Sequence, residues 1–255
     1  MLSVVPALAQ SRGAISPADE QEILQLVNAE RRSRGLSTLV VDQGLLQAAR
    51  KHSELMASTG IVEHVVNNEP KLASRLGRYP LRFDASGENV AFSYSAQRAH
   101  TALMNSPGHR ANILDGEYNA VGIGVIKTDQ GIYVTEDFAR RLPEVNVEQA
   151  EEQVGLQLNR LRRVVGIPEL PRVAAPNLRA RACEMADRDR LDPNAGLSPR
   201  VRDSVAFTAV DLSRIPESVQ RLKNATASGY SIGACYRASR SYENPVFWFI
   251  VVTYF

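Results

Sequence analysis

The spacing Asn28-x-x-Arg31-Arg32-x-x-Gly35-x-x-x-Leu39 returns later in the chain as Asn159-x-x-Arg162-Arg163-x-x-Gly166-x-x-x-Leu170, five identities in unchanged register. Other matches follow in the same order. Leu45 and Ala49 pair with Leu178 and Ala182, Val90-Ala91-Phe92 with Val205-Ala206-Phe207, and Ile123-Gly124 with Ile232-Gly233. Each half then closes on an apolar strand, at Phe138 or at Phe255. Ordered recurrence of this kind predicts one supersecondary module built twice. The length of 255 residues is enough for two cores of ordinary size.

Within the first half, Ser16 with Pro17 and Asp19 reads as a helix start, and Gly35 as its end. Asp42 opens a second helix with Leu45, Ala49, His52 and Met56 on one stripe. A strand over 89–94, a helix over 95–104, and a hairpin of 120–127 with 132–139 around Asp129-Gln130-Gly131 complete the pattern. The second half is expected to carry helices near 147–165 and 176–189 and strands near 204–210, 231–237 and 246–255. Helices on a sheet make an α+β fold, an α-β-α sandwich present twice in tandem. The expected division is a signal-peptide remnant and N-terminal arm over 1–15, a first domain over 16–141 with the histidines and a degenerate second domain over 142–255 without them.

The net charge of +2 is small, and Glu184, Asp187 and Asp189 interleave with the arginines of 179–190, so a solvated helix face is expected there and no nucleic-acid surface. No apolar run is long enough for stable membrane insertion. Ala7-Leu8-Ala9 fits a small-x-small cleavage pattern with the mature chain starting near Gln10, which predicts a secreted, periplasmic or extracellular protein. Cys183 and Cys235 then fit one disulfide, with two buried thiols as the alternative.

The residues that carry chemistry lie in the first half. His64, Glu88 and His109 are far apart in sequence, and a folding core asks for none of them; they are expected to gather into one site. All four histidines lie at or before position 109, so the second half has none, and its counterpart of Glu88 is read as Asp203. Gly229-Tyr230-Ser231-Ile232-Gly233 spells a nucleophile elbow, but no histidine follows it and the pattern is discarded. His52 and His100 are read as structural.

With His64, Gly87-Glu88-Asn89-Val90-Ala91, Ser106-Pro107-Gly108-His109-Arg110-Ala111-Asn112-Ile113-Leu114 and Val121-Gly122-Ile123-Gly124-Val125 aligned, residues of about 18–140 resemble the bacterial branch of the CAP superfamily (cysteine-rich secretory proteins, antigen 5 and pathogenesis-related 1). The resemblance implies a groove holding two histidines, His64 and His109, with Glu88 as its acid. Leu103 stands where the family usually has Trp, and Ser106 where many members have a second Glu. Glu136 stands where many bacterial relatives have Gln, and offers a replacement carboxylate. Ser106 and Glu136 are therefore expected as ligand contacts beside Glu88.

Two neutral imidazoles and a carboxylate suit zinc or another divalent cation, with His64 and His109 as ligands; Glu88 either joins them or orients one ring through its other nitrogen. Three functions follow. A binding module would hold the ion and a small apolar ligand or peptide. A metal- or His/Glu-assisted hydrolase of peptide or cell-wall substrates would use Glu88, His64 and His109. An envelope interaction protein would keep a vestigial site, with the two copies packing against each other. Binding is the leading expectation and catalysis the alternative.

Overall fold

A computed structural model describes residues 13–194, 197–242 and 244–255. The expected signal-peptide tail, with Ala7-Leu8-Ala9 and Gln10, lies outside the described residues. The chain divides into two compact units, the first ending at Arg141 and the second spanning Leu142–Phe255.

In unit 1 the chain runs β1 (Ala14–Ile15), α1 (Pro17–Ser33), β2 (Val40–Val41), α2 (Gln43–Thr59), α3 (Leu72–Leu76), β3 (Phe83–Ser93), α4 (Ala96–Asn105), α5 (Pro107–Leu114), β4 (Ala120–Lys127) and β5 (Ile132–Arg141). The sheet order is β1-β4-β5-β3, with β2 parallel to β4. Ala14 and Ile15, expected in an N-terminal arm, are the edge strand paired with Lys127 and Ile126. Period-two alternation sends Val121, Ile123, Val125, Val134 and Phe138 to one face, under Ile23, Val27, Ala99, Leu103 and Ile113 of α1, α4 and α5. The other face carries α2 and α3 through Leu45, Ala48, Leu76 and Met56. The result is an α-β-α sandwich.

Asp42 caps α2 by accepting from the Gly44 and Leu45 amides at 2.8 and 3.1 Å. Ser16, expected to cap its helix in the same way, makes no side-chain cap bond, and its hydroxyl donates to Asp19 instead; Ser106, before α5, makes no side-chain cap bond either. The glycines of β4 have a packing cause. A Cβ at Gly124 would stand 2.3 Å from the Ala49 carbonyl carbon, so only glycine lets the α2 backbone lie on the strand.

Unit 2 contains α6 (Val147–Val164), α7 (Asn177–Arg188), β6 (Val201–Ala209), a 3-10 turn (Glu217–Leu222), β7 (Gly229–Arg237) and β8 (Val246–Tyr254). Its antiparallel sheet has the order β6-β8-β7. Cys183 and Cys235 form a disulfide joining α7 to β7, with Cα atoms 5.1 Å apart. The shared residues make the same bonds in each unit. Asn28 bonds the Leu39 carbonyl and amide at 3.1 and 2.8 Å; Asn159 bonds those of Leu170 at 3.0 and 2.9 Å. Arg31 donates to the carbonyls of Ser37, Ile113 and Asp115, and Arg162 to those of Pro168, Leu222 and Asn224. Glu20 joins Arg50 to the Val125 amide as Glu151 joins Arg179 to the Ala234 amide.

These contacts correct two of the sequence pairings. Arg50 answers to Arg179, and Gly124 packs on Ala49 as Gly233 packs on Leu178. The helices therefore align one turn away from the Leu45/Leu178 match. Val90 packs with Met56 and Tyr133 below α2, whereas Val205 faces the α6 side with Val154 and Leu158. A one-residue slip in a strand reverses every face, so Ala206 and not Val205 is the counterpart of Val90. Ser231, the serine of the discarded elbow, is buried within β7 and bonded to the Val173 carbonyl.

Candidate functional site

Glu88 lies on β3, at the end of the sheet opposite β1 among the described residues, with its side chain on the α2 and α3 face. Gly87 before it has a steric role: a Cβ there would stand 2.6 Å from the Tyr118 hydroxyl and 3.0 Å from Asn112, closing the approach of α5 to the strand. The carboxylate is held from two sides. His64 Nδ1, in the connection after α2, lies 2.9 Å from Glu88 Oε1. Arg75 of α3 forms an ion pair with Oε2 and donates to the His64 carbonyl at 2.8 Å. One guanidinium thus fixes both the acid and the backbone of its histidine partner. The Glu88 and Arg75 side chains are 3% and 7% exposed, while that of His64 is 58% exposed. A buried ion pair carries an open imidazole at its rim.

His109 reaches the same edge from α5. Asn89 Nδ2 donates to the His109 carbonyl at 3.1 Å, and Asn112 Nδ2 donates to the Glu88 carbonyl and Asn89 Oδ1 at 3.1 and 2.9 Å. These amides tie the first turns of α5 to β3. Burial lowers the His109 pKa and the His64 charge lowers it further, so the neutral ring is favoured. The positive end of the α5 dipole, beside the ring in the first turn of the helix, acts in the same direction, but burial is the leading cause. His64, Glu88 and His109 are therefore brought to one strand edge.

Two of the expected ligand contacts are not part of this surface. Glu136 is fully buried on the opposite face of the sheet, where Oε2 accepts from Asn89 at 2.9 Å and Oε1 has no partner. Its pKa is pushed up to about 7, by burial and against the pull of the Asn89 bond. Alternation along β5 sends position 136 to the α1 side and position 137 to the Glu88 side, which the motif comparison could not resolve. The Ser106 side chain makes no cap bond to α5, to which the residue is hydrogen-bonded through its carbonyl, accepting from the Arg110 amide at 2.9 Å.

Sequence reasoning missed four contributors. His52, read as structural, is buried with Nε2 3.9 Å from Glu88 Oε2 and Nδ1 2.7 Å from Glu69 Oε1. Arg75 is the counter-charge of Glu88, and Glu69 accepts from the Val66 amide at 3.0 Å. Asp137 stands opposite Glu88 in the strand register, fully buried. Burial, then the Glu88 charge, raises its pKa well above the ordinary range, with Arg75 pulling the other way. The only available signal was His52 on an otherwise apolar stripe. His100 is buried in α4, as a structural reading expects.

A divalent cation fits this donor set only in part. Both oxygens of Glu88 are taken, by Arg75 and His64, and a guanidinium on the carboxylate opposes a second positive charge. Among the described residues no three His, Cys, Asp or Glu side chains are grouped to hold a metal ion. The two imidazoles remain as donors.

The sheet register locates the unit 2 counterparts. Gly124 pairs with Thr135, and Gly233 with Ile250. Glu136 and Asp137 then correspond to Val251 and Val252, and Glu88 to Ser204, the partner of Val252, rather than to Asp203.

Residues 24–138 match the model of the cysteine-rich secretory protein family, CAP. The uncharacterized membrane protein YlbC of Bacillus subtilis is 34% identical over 128 residues, half of this chain and 36% of its own length. The chain thus spans about a third of the length of that curated relative. An extracellular protein containing an SCP domain from Bacillus anthracis is 28% identical, with a TM-score of 0.45, over 50% of this chain and 45% of that one. The crystal structure of Na-ASP-1 is 10% identical with a TM-score of 0.50, over 97% of this chain and 91% of that one; the likeness is one of fold. Among the described residues no helix is long and apolar enough to cross a membrane.

Proposed function

Unit 1 is a domain of the cysteine-rich secretory protein family, and from that premise we propose that the chain is an exported binding module whose ligand is received at the β3 edge by His64, Glu88 and His109. The observation that carries this reading is the placement of Glu88. Its oxygens are held by Arg75 and His64, and the carbonyl of its own residue by Asn112, so the site is rigid before any ligand arrives. Unit 2, read here as a degenerate copy, has Ser204, Val251 and Val252 at the positions of Glu88, Glu136 and Asp137. The carboxylates are thus dispensable to a sheet of this kind.

His64 and His109 are the residues that would hold a divalent ion such as zinc, with Glu88 orienting the His64 ring through Nδ1. The ion would supply a Lewis-acidic point for an oxygen of the ligand. Small apolar molecules and peptides are the ligand classes considered. Catalysis has less support, because a general base needs an uncommitted carboxylate and Glu88 is committed to Arg75. Export is supported by the extracellular relative and by the Cys183–Cys235 disulfide.

A calorimetric zinc titration of the protein beside His64→Ala and His109→Ala tests the site. One equivalent bound by the parent and lost in both variants is expected. Absence of binding, or equal binding in the variants, removes the ion from the proposal and leaves a site that recognises polar ligands directly.

A further inference from the structure

A cavity of about 400 Å³ opens between α2 and α3, with Arg75 in its lining. Its apolar wall is Ala48, Leu55, Pro70 and Tyr79, and His52 and Arg75 contribute the polar part of the lining. Neither His64 nor His109 lines it. The volume is in the range of small-molecule sites, and apolar walls with a few convergent polar groups are what such sites have.

The charges select the ligand. Arg75, Lys51 and Arg78 are cationic against Glu54 and Glu69. Glu69 lies beside His52 and 3.6 Å from Arg75 Nη1, so Arg75 is balanced by Glu69 and Glu88, which leaves Glu54 alone facing the exposed Lys51 and Arg78. Arg75 also has an unmet bond. Its terminal nitrogens hold Glu88 and the His64 carbonyl, but Nε, buried, has no acceptor among the described residues. An orphaned donor in a buried guanidinium is satisfied by an acceptor that enters beside it.

Unit 2 supplies the contrast. Arg181 and Glu184 of α7 stand at the positions of His52 and Leu55 when Arg50 is matched to Arg179, and the space they line is only about 20 Å³.

We propose that the α2–α3 cavity is a second binding site, for a compact monocarboxylate. The apolar body lies against Leu55, Pro70 and Tyr79, and the carboxylate meets Lys51 and Arg78, with the buried Nε of Arg75 reached only when that side chain turns. Turning Arg75 toward that carboxylate loosens its grip on Glu88, so occupancy of the cavity is felt at His64. The proposal does not rest on metal binding at the groove.

The test is an NMR titration, without added metal, using phenylbutyrate and its uncharged analogue phenylbutanol. Saturable binding of phenylbutyrate is expected, with the alcohol roughly tenfold weaker for want of the charge-assisted bonds. The His64 ring signal should shift along the same curve. Leu55→Trp fills the cavity and Ser58→Trp blocks its exposed rim; both should remove binding while the remaining spectrum stays folded. No saturable binding, equal affinity for the alcohol, a stationary His64 signal, or binding intact in both variants would each overturn the proposal. Because no zinc is present, failure here leaves the groove reading standing, and failure of the zinc titration leaves this one.

Discussion

Units 1 and 2 hold their first helices with the same three side chains, yet they fill their sheets differently. Asn28 and Asn159, Arg31 and Arg162, and Glu20 and Glu151 make matching bonds within a few tenths of an ångström. On the sheets, unit 1 buries Glu88, Glu136 and Asp137 where unit 2 has Ser204, Val251 and Val252. Burying a carboxyl without full partners costs free energy, and a valine at the same position gains it. The difference teaches which polar residues the architecture requires. The Asn, Arg and Glu of the frame satisfy backbone groups that every such module exposes; the acids of β3 and β5 do not. Unit 2 instead ties its helix to the sheet with the Cys183–Cys235 disulfide, where unit 1 uses Ser53, bonded to the Gly124 carbonyl and Thr135 at 2.9 and 2.8 Å.

The two units have separate spectroscopic handles, because the single Trp248 belongs to unit 2 and all four histidines to unit 1. The sharpest break in the comparison is Glu88→Gln against Ser204→Ala. Removing the Glu88 charge leaves the buried Arg75 with only Glu69, 3.6 Å away, as a counter-charge, a loss of roughly 3 kcal/mol in unit 1. Ser204→Ala should change unit 2 by no more than about 0.5 kcal/mol. Urea unfolding followed at the histidine signals and at Trp248 fluorescence separates the two, and similar losses would show that the position is structural in both.

Glu136→Gln gives the next effect. The folded-state pKa of about 7 lies above the ordinary value of 4.5, so its stabilising, protonated form is complete at low pH and is lost as pH rises through that window. The shift corresponds to roughly 3 kcal/mol of stability given up by neutral to alkaline pH. Gln keeps the bonding to Asn89 without the charge. The variant should therefore match the parent below about pH 4 and exceed it by up to about 3 kcal/mol near pH 8. Equal pH slopes for the two proteins would contradict the assignment.

The smallest effect probes what the units share. Asn28→Ala and Asn159→Ala each remove one donor and one acceptor from the turn after the first helix, at about 2 kcal/mol apiece. The two losses should agree within about 0.5 kcal/mol. A clear inequality would mean that the common frame is held differently in each unit.

How much of this was legible from sequence follows from how far each signal reaches. Helical stripes, the Asp42 cap, the hairpin around Asp129-Gln130-Gly131 and the Asn-Arg-Gly spacing are local, and they identified the sandwich and the two modules. His64, Glu88 and His109 stood out because their chemistry exceeds what a core requires. Strand facing did not, because it turns on a single residue of register. Val205 looked like Val90, Asp203 like Glu88, and Glu136 like a groove residue, until the ladder put each on its face. Arg75 and His52 were invisible for the opposite reason: each is an ordinary helix residue until α2 and α3 fold over β3 and bury it beside Glu88. Local spacing determined the elements and the histidine-bearing half; which charges meet in the interior was decided by tertiary packing, since burial is what turns a scattered Arg, His and Glu into one electrostatic unit.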